Sequence, residues 1–168
     1  MPKVHFVKKA RKDNPAVKAG ESYYWWAFRF GGKRYSSVRP RPSQLTSSDK
    51  LARIYEAQEC VADALDDFKN DLSAVDELVE VLEDYASEVE TVSEEYDESA
   101  ENISERFGQT EQVEECFEKA EASMDLNDEI QTAVDEIGNI NESDAPLDER
   151  KHDILDAVEN IDWEVFPY

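Results

Sequence analysis

From Leu51 to Phe107 the chain carries two apolar columns at heptad spacing. One runs Ile54, Val61, Phe68, Val75, Leu82, Val89, Tyr96, Ile103. The other runs Leu51, Gln58, Leu65, Leu72, Val79, Ala86, Ser93, Ala100, Phe107, with Gln58 and Ser93 its only polar members. Neither Gly nor Pro interrupts the stretch. Eight heptads in one register predict a long helix of the coiled-coil or bundle type. At 1.5 Å rise per residue it would extend roughly 85 Å, too far for a chain this small to bury as a ball. It therefore needs a partner helix, from the same chain or from a second copy.

The charge of the chain divides at the foot of this stretch. Residues 1–44 hold eleven of the 18 Lys and Arg but only two of the 41 acidic residues, a net of +9. Residues 45–168 hold the other seven bases and 39 acids, a net of −32. Two electrostatic objects share one chain, and the sustained periodicity of the acidic part argues against disorder. No apolar run is long enough for a signal peptide or a membrane span, which predicts a protein of the cytoplasm with no membrane partner. Cys60 and Cys116 lie in helical pattern and read as free thiols, buried or half-buried, without zinc spacing.

The basic part predicts a small sheet. Residues 4–10 alternate as a short strand, and residues 11–21 form a loop broken by Pro15 and Gly20. Tyr23–Phe30 and Lys33–Val38 flank Gly31-Gly32, the pattern of a hairpin with a primed two-residue turn. That turn pairs Phe30 with Lys33, Arg29 with Arg34, Phe28 with Tyr35 and Trp25 with Val38. One face then carries Trp26, Phe28, Phe30 and Tyr35, and the other Tyr23, Trp25, Arg29 and Arg34. Arg39-Pro-Arg-Pro42 continues as an extended segment, and Thr46 with Asp49 resembles a capping box ahead of the long helix.

Beyond its two columns the long helix adds Leu78, Tyr85 and Val92 at the neighbouring position, a widened face that invites a further helix. Gly108 marks a break, and Thr110 caps a second helix to about Ile137 with Val113, Phe117, Ala120, Met124, Ile130, Val134 and Ile137 apolar. Residues 138–145 read as a turn, and Pro146 suits the first turn of a third helix with Leu147, Ile154, Leu155, Val158 and Ile161 apolar. The tail is expected to dock Trp163 and Phe166. The fold class expected is α+β, mostly α. A basic β head spans 1–46, a long heptad helix 47–107, and two return helices with an aromatic tail (108–168) complete an acidic bundle. The proximal part of the long helix has no evident intrachain partner, so Leu51, Ile54, Val61, Leu65, Phe68 and Leu72 are expected to form a homodimer seam.

No sequence pattern here supports catalysis. His5 and His152 lack a catalytic context, and there is no G-x-S-x-G, P-loop or H-E-x-x-H. The carboxylates follow the pattern of solvated helix faces. A non-enzyme without metal or cofactor is expected. The head combines flat aromatic surface with cations: Tyr23, Trp25, Arg29 and Arg34, surrounded by Lys8, Lys9, Arg11, Lys12, Lys33, Arg39 and Arg41. Such a surface suits phosphate contact through counterion release, groove reading by arginine on a β-ribbon, or stacking on single-stranded bases. The bland alternative is a small aromatic core whose arginines contact acidic helices of the same protein.

The succession of strand, loop, aromatic strand, GGKRYS, basic strand and helix, and above all W-A-F-R-F-G-G-K-R-Y, resembles the arm-type DNA-binding modules of phage integrases over residues 4–65. That resemblance implies a three-stranded sheet backed by a helix and seated in a DNA groove, with Arg29, Lys33, Arg34 and Tyr35 at the contact. No recombinase catalytic domain follows. The whole chain also looks like a small phage accessory protein, which would place it in a host cytoplasm. Two other functions compete with nucleic-acid binding. The acidic body could mimic duplex charge and inhibit a nucleic-acid-processing or host-defence protein, or the helices could serve as a coiled-coil adaptor.

Overall fold

The computed structural model describes residues 2–163, so the expected docking of Phe166 lies outside the described residues. The architecture is α+β and mostly helical. It comprises β1 (His5–Val7), β2 (Tyr23–Ala27) and β3 (Lys33–Ser36), then α1 (Asp49–Asn70), α2 (Val75–Phe107), α3 (Glu111–Asn141) and α4 (Leu147–Glu159). The chain divides into two compact units, one through Glu56 and one from Ala57.

In the first unit the strands form an antiparallel sheet in the order β1–β2–β3. The register differs from the two-residue-turn expectation by three. Trp25 pairs with Tyr35, Trp26 with Arg34 and Ala27 with Lys33, leaving Phe28–Gly32 as a five-residue loop. A primed turn needs positive φ at its central residues. Gly31 and Gly32 do not have it, and the only positive-φ glycines are Gly20 and Gly108. An odd shift exchanges the two faces of a strand. Tyr35 therefore joins Tyr23 and Trp25, and Arg34 moves to the face of Trp26, opposite to the expected grouping. The observed register gathers aromatic side chains across all three strands, which the shortest turn would have separated. Ala10 extends the β1–β2 pairing, donating to the Glu21 carbonyl at 2.7 Å and accepting from the Gly20 N–H at 2.9 Å.

The single helix expected over 47–107 is two helices. Asp71 takes an extended backbone (φ −139°, ψ 111°), and its carboxylate accepts from the Ser73 N–H and hydroxyl, both at 2.9 Å. These two bonds hold its pKa below the ordinary aspartate value, the backbone bond first. Asp71 is thus the N-cap of a 3-10 turn, Leu72–Ala74, that leads into α2. Upstream, Ser48 rather than Thr46 caps α1: its carbonyl accepts from Ala52 at 2.9 Å and its hydroxyl from Leu51 at 3.4 Å.

The turn sends the chain back along itself. Gln58 Nε2 donates to the Tyr85 hydroxyl at 2.9 Å. In a continuous helix residues 27 apart would be separated by about 40 Å. From Ala57 onward the proximal helix therefore meets α2 of the same chain, where no intrachain partner was expected. Ile54, Val61 and Phe68 are at most 1% exposed in the single chain, while Leu51, Leu65 and Leu72 are half-buried.

The widened face of α2 serves two neighbours. Tyr85 meets Gln58 of α1 and stacks on Trp163, at 5.8 Å between ring centroids and 8° between planes. One column over, Ser93 Oγ donates to the Ala120 carbonyl of α3 at 2.9 Å. The residues beside Ser93 at heptad spacing are Ala86 and Ala100, both buried. This run of small side chains lets the α3 backbone come within reach of a serine hydroxyl. Gly108 makes the reversal between the helices, with φ 73° and its N–H bonded to the Ser104 carbonyl. Thr110 then caps α3 through its hydroxyl and the Val113 N–H, at 3.4 Å.

On α3 the buried stripe is Val113, Ala120, Ser123, Leu126, Ile130, Ala133 and Ile137. Phe117 and Met124, expected in the core, are 44% and 47% exposed. At Ala120 and Ser123 the seam takes small residues, and Phe117 and Met124 beside them lie at its rim. The helix also runs four residues beyond Ile137, into the first half of the expected turn. Packed on α3, α4 and the segment that follows it are tied at three places. Arg150 Nη1 donates to the Asn141 carbonyl at 2.8 Å, Lys151 Nζ to the Lys69 carbonyl at 2.6 Å, and the Asp162 N–H to Glu129 Oε2 at 2.8 Å. No described helix is long and apolar enough to cross a membrane. Both cysteines are free, Cys60 exposed rather than buried and Cys116 half-buried.

The close α2–α3 seam is tested by overpacking. Ser93→Leu is expected to cost about 1–3 kcal/mol, because the larger side chain must push two backbones apart. Ser93→Ala, which loses only the hydroxyl bond, is expected to cost about 1 kcal/mol. Urea unfolding followed by helical circular dichroism measures both. Equal, negligible shifts would mean that the helices are not closely apposed.

Candidate nucleic-acid interface

One face of the sheet is an aromatic–cation cluster assembled by register. Alternation places His5 and Val7 of β1, Tyr23 and Trp25 of β2, and Lys33 and Tyr35 of β3 on it. His5 stacks on Trp25 from the β1 side, at 4.2 Å between centroids and 9° between planes. Lys33 Nζ lies 4.7 Å from the Trp25 ring centroid from the β3 side. Tyr23 and Tyr35 approach to 6.0 Å at a 43° tilt. His5, Tyr23, Trp25 and Tyr35 are each half-buried. The opposite face carries Trp26, 3% exposed, together with Tyr24 and the exposed Arg34.

The hairpin loop carries the second group of functional side chains. The Gly31 N–H donates to the Phe28 carbonyl at 3.2 Å and tightens its tip. Phe30 is 93% exposed, with the Arg29 guanidinium 5.2 Å from its ring centroid. Arg34 lies 5.3 Å from the centroid of Phe28, which is half-buried. Each cation–aromatic pair at such a site contributes about 0.5–1 kcal/mol and fixes the long side chain beside the ring.

The expected site residues thus separate into three sets. Tyr23, Trp25 and Lys33 share the aromatic face. Arg29 stands in the loop, and Arg34 lies across the sheet from Trp25, so the expected quartet of Tyr23, Trp25, Arg29 and Arg34 does not share one face. Lys8, Lys9, Arg11 and Lys12 follow β1 and are exposed, as is Arg39 after β3. Arg41 is exposed, and its N–H donates to the Gln44 side chain at 3.1 Å. His5 escaped the sequence reading, although its alternation with Val7 marks the face it occupies. Phe30, expected on a sheet face, lies in the loop because the observed pairing turns earlier in the chain than the two glycines.

Among the described residues no group of three or more His, Cys, Asp or Glu is placed to hold a metal ion. Compared with protein-family profiles, characterised proteins and solved structures, the chain matches none.

Proposed function

We propose that the β head binds nucleic acid and that the helical part is its acidic, non-catalytic carrier. The observation that carries this reading is the placement of exposed cations around the hairpin. Arg29 stands in the hairpin loop, Lys33 and Arg34 open the strand that follows it, and Lys8, Lys9, Arg11, Lys12 and Arg39 lie on the segments that leave the sheet, all of them exposed. Eleven bases against two acids in 44 residues is the charge density that releases counterions from a phosphate backbone. The resemblance of residues 4–65 to sheet-in-groove DNA-binding modules leans the same way.

The test is fluorescence anisotropy of the intact protein over a salt series, with labelled single-stranded and duplex probes. Each phosphate neutralised adds about 0.7 to the slope of log affinity against log salt on single strands and about 0.9 on duplex DNA. Binding through the head is expected to give a slope of about 2 or more. Absence of binding at low salt by the folded protein would defeat the reading. The acidic body would then become the surface to test against basic protein targets.

A further inference from the structure

We infer that Phe30 is a base-stacking residue and that the preferred ligand of the head is single-stranded nucleic acid. This rests on the nucleic-acid reading and specifies its ligand. An aromatic side chain can stack on a base only if a ring face is free, and most of the aromatic rings of the sheet are engaged. Trp25 has His5 against it at 4.2 Å and Lys33 at 4.7 Å. Tyr23 pairs with Tyr35, Phe6 pairs with Tyr24 at 4.9 Å, and Trp26 is buried.

Phe30 is different. It stands at a hairpin tip, 93% exposed, with a single cation beside it. Leaving a phenylalanine this open forgoes its burial, and the one contact with Arg29 offsets only part of that loss. Gly31 and Gly32 follow Phe30 and carry no side chain to obstruct a flat ligand, and the Arg29 guanidinium beside the ring suits a phosphate next to a stacked base. Inserting the ring into a duplex would first have to unstack a base step. A single strand offers the same base without that cost, so the geometry favours it.

The experiment uses the intact chain and a labelled dT20 strand. Two further probes are a strand of equal length with abasic sites through its centre and a 20-base-pair duplex. Phe30→Ala is expected to weaken dT20 binding about 5- to 100-fold, with the salt slope unchanged. Phe30→Trp is expected to restore it. The abasic strand should bind the parent protein more weakly than dT20 and should not distinguish it from Phe30→Ala. Equal affinities of the parent and Phe30→Ala for dT20, with binding still salt-dependent, would overturn the stacking role and leave the phosphate-binding head standing. Tighter binding of the duplex, with Phe30→Ala weakening that complex, would overturn the single-strand assignment in favour of a wedge. Failure of the parent protein to bind any probe would remove the underlying reading as well.

Discussion

Tyr85→Ala is expected to destabilise the helical unit by about 3–5 kcal/mol, the cost of emptying a large aromatic site in a packed core. Tyr85 is 1% exposed and sits where three parts of the chain meet. Its hydroxyl accepts from Gln58 of α1, its own helix is α2, and its ring stacks on Trp163 beyond α4. Removing the ring leaves Trp163 without its stacking partner and Gln58 without its acceptor, in a cavity that these helices cannot all close. Since folded domains are stable by only about 5–15 kcal/mol, this one change consumes a large share. Tyr85→Phe separates the contributions. It keeps the ring and loses only the hydroxyl bond, so about 1 kcal/mol is expected, towards the low end because half-buried Gln58 can turn to water. The readout is urea unfolding by circular dichroism at 222 nm. A loss below about 1 kcal/mol for Tyr85→Ala would mean that α1 does not fold back onto α2.

That convergence explains what the sequence could and could not disclose. Along α2 the two heptad columns and the added stripe of Leu78, Tyr85 and Val92 are packing faces from Val75 to Ala100, with Val79 half-buried, whereas Phe107, expected in the second column, is 75% exposed. The columns could not say whether the helix runs on through residue 71. An antiparallel hairpin and an uninterrupted rod bury the same a and d positions, so hydrophobic periodicity is blind to the difference. The information lay in the polar residues. In Asn70-Asp71-Leu72-Ser73 the aspartate bonds to Ser73 two residues on, offering the backbone an alternative to helix. Apolar periodicity similarly misplaced Phe117 and Met124. On α3 Val113, Ala120, Ile130 and Ile137 are buried as expected, while Ser123 and Leu126 take the buried places where Phe117 and Met124 were expected. In the head, the existence of three strands was legible but their register was not. Two adjacent glycines suggested the tightest turn, while cross-strand packing of His5, Trp25 and Tyr35 selected a pairing three residues away. The same slip hid the most exposed aromatic residue of the loop.

Arg29→Ala/Lys33→Ala/Arg34→Ala is expected to lower nucleic-acid affinity about 100-fold at low salt, by removing three charge-assisted contacts at the hairpin tip. The magnitude is set low for three such contacts because exposed charges are screened and because the cations after β1 remain. The effect has two signatures that loss of folding would not reproduce. On single strands the salt slope should fall by about 2, and the affinity deficit should shrink as salt rises. Stability should change little, since all three side chains are exposed and their ring contacts at Phe30, Trp25 and Phe28 are each worth at most about 1 kcal/mol. Charge removal and ring removal are also expected to act differently. The triple variant should bind abasic and base-bearing strands with the same fractional loss, whereas Phe30→Ala should weaken only the strand with bases. If the triple variant instead kept its salt slope and affinity, the phosphates would have to be held by Lys8, Lys9, Arg11 and Lys12. The hairpin would then be a structural element of the head, and the ligand would lie along the loop that follows β1.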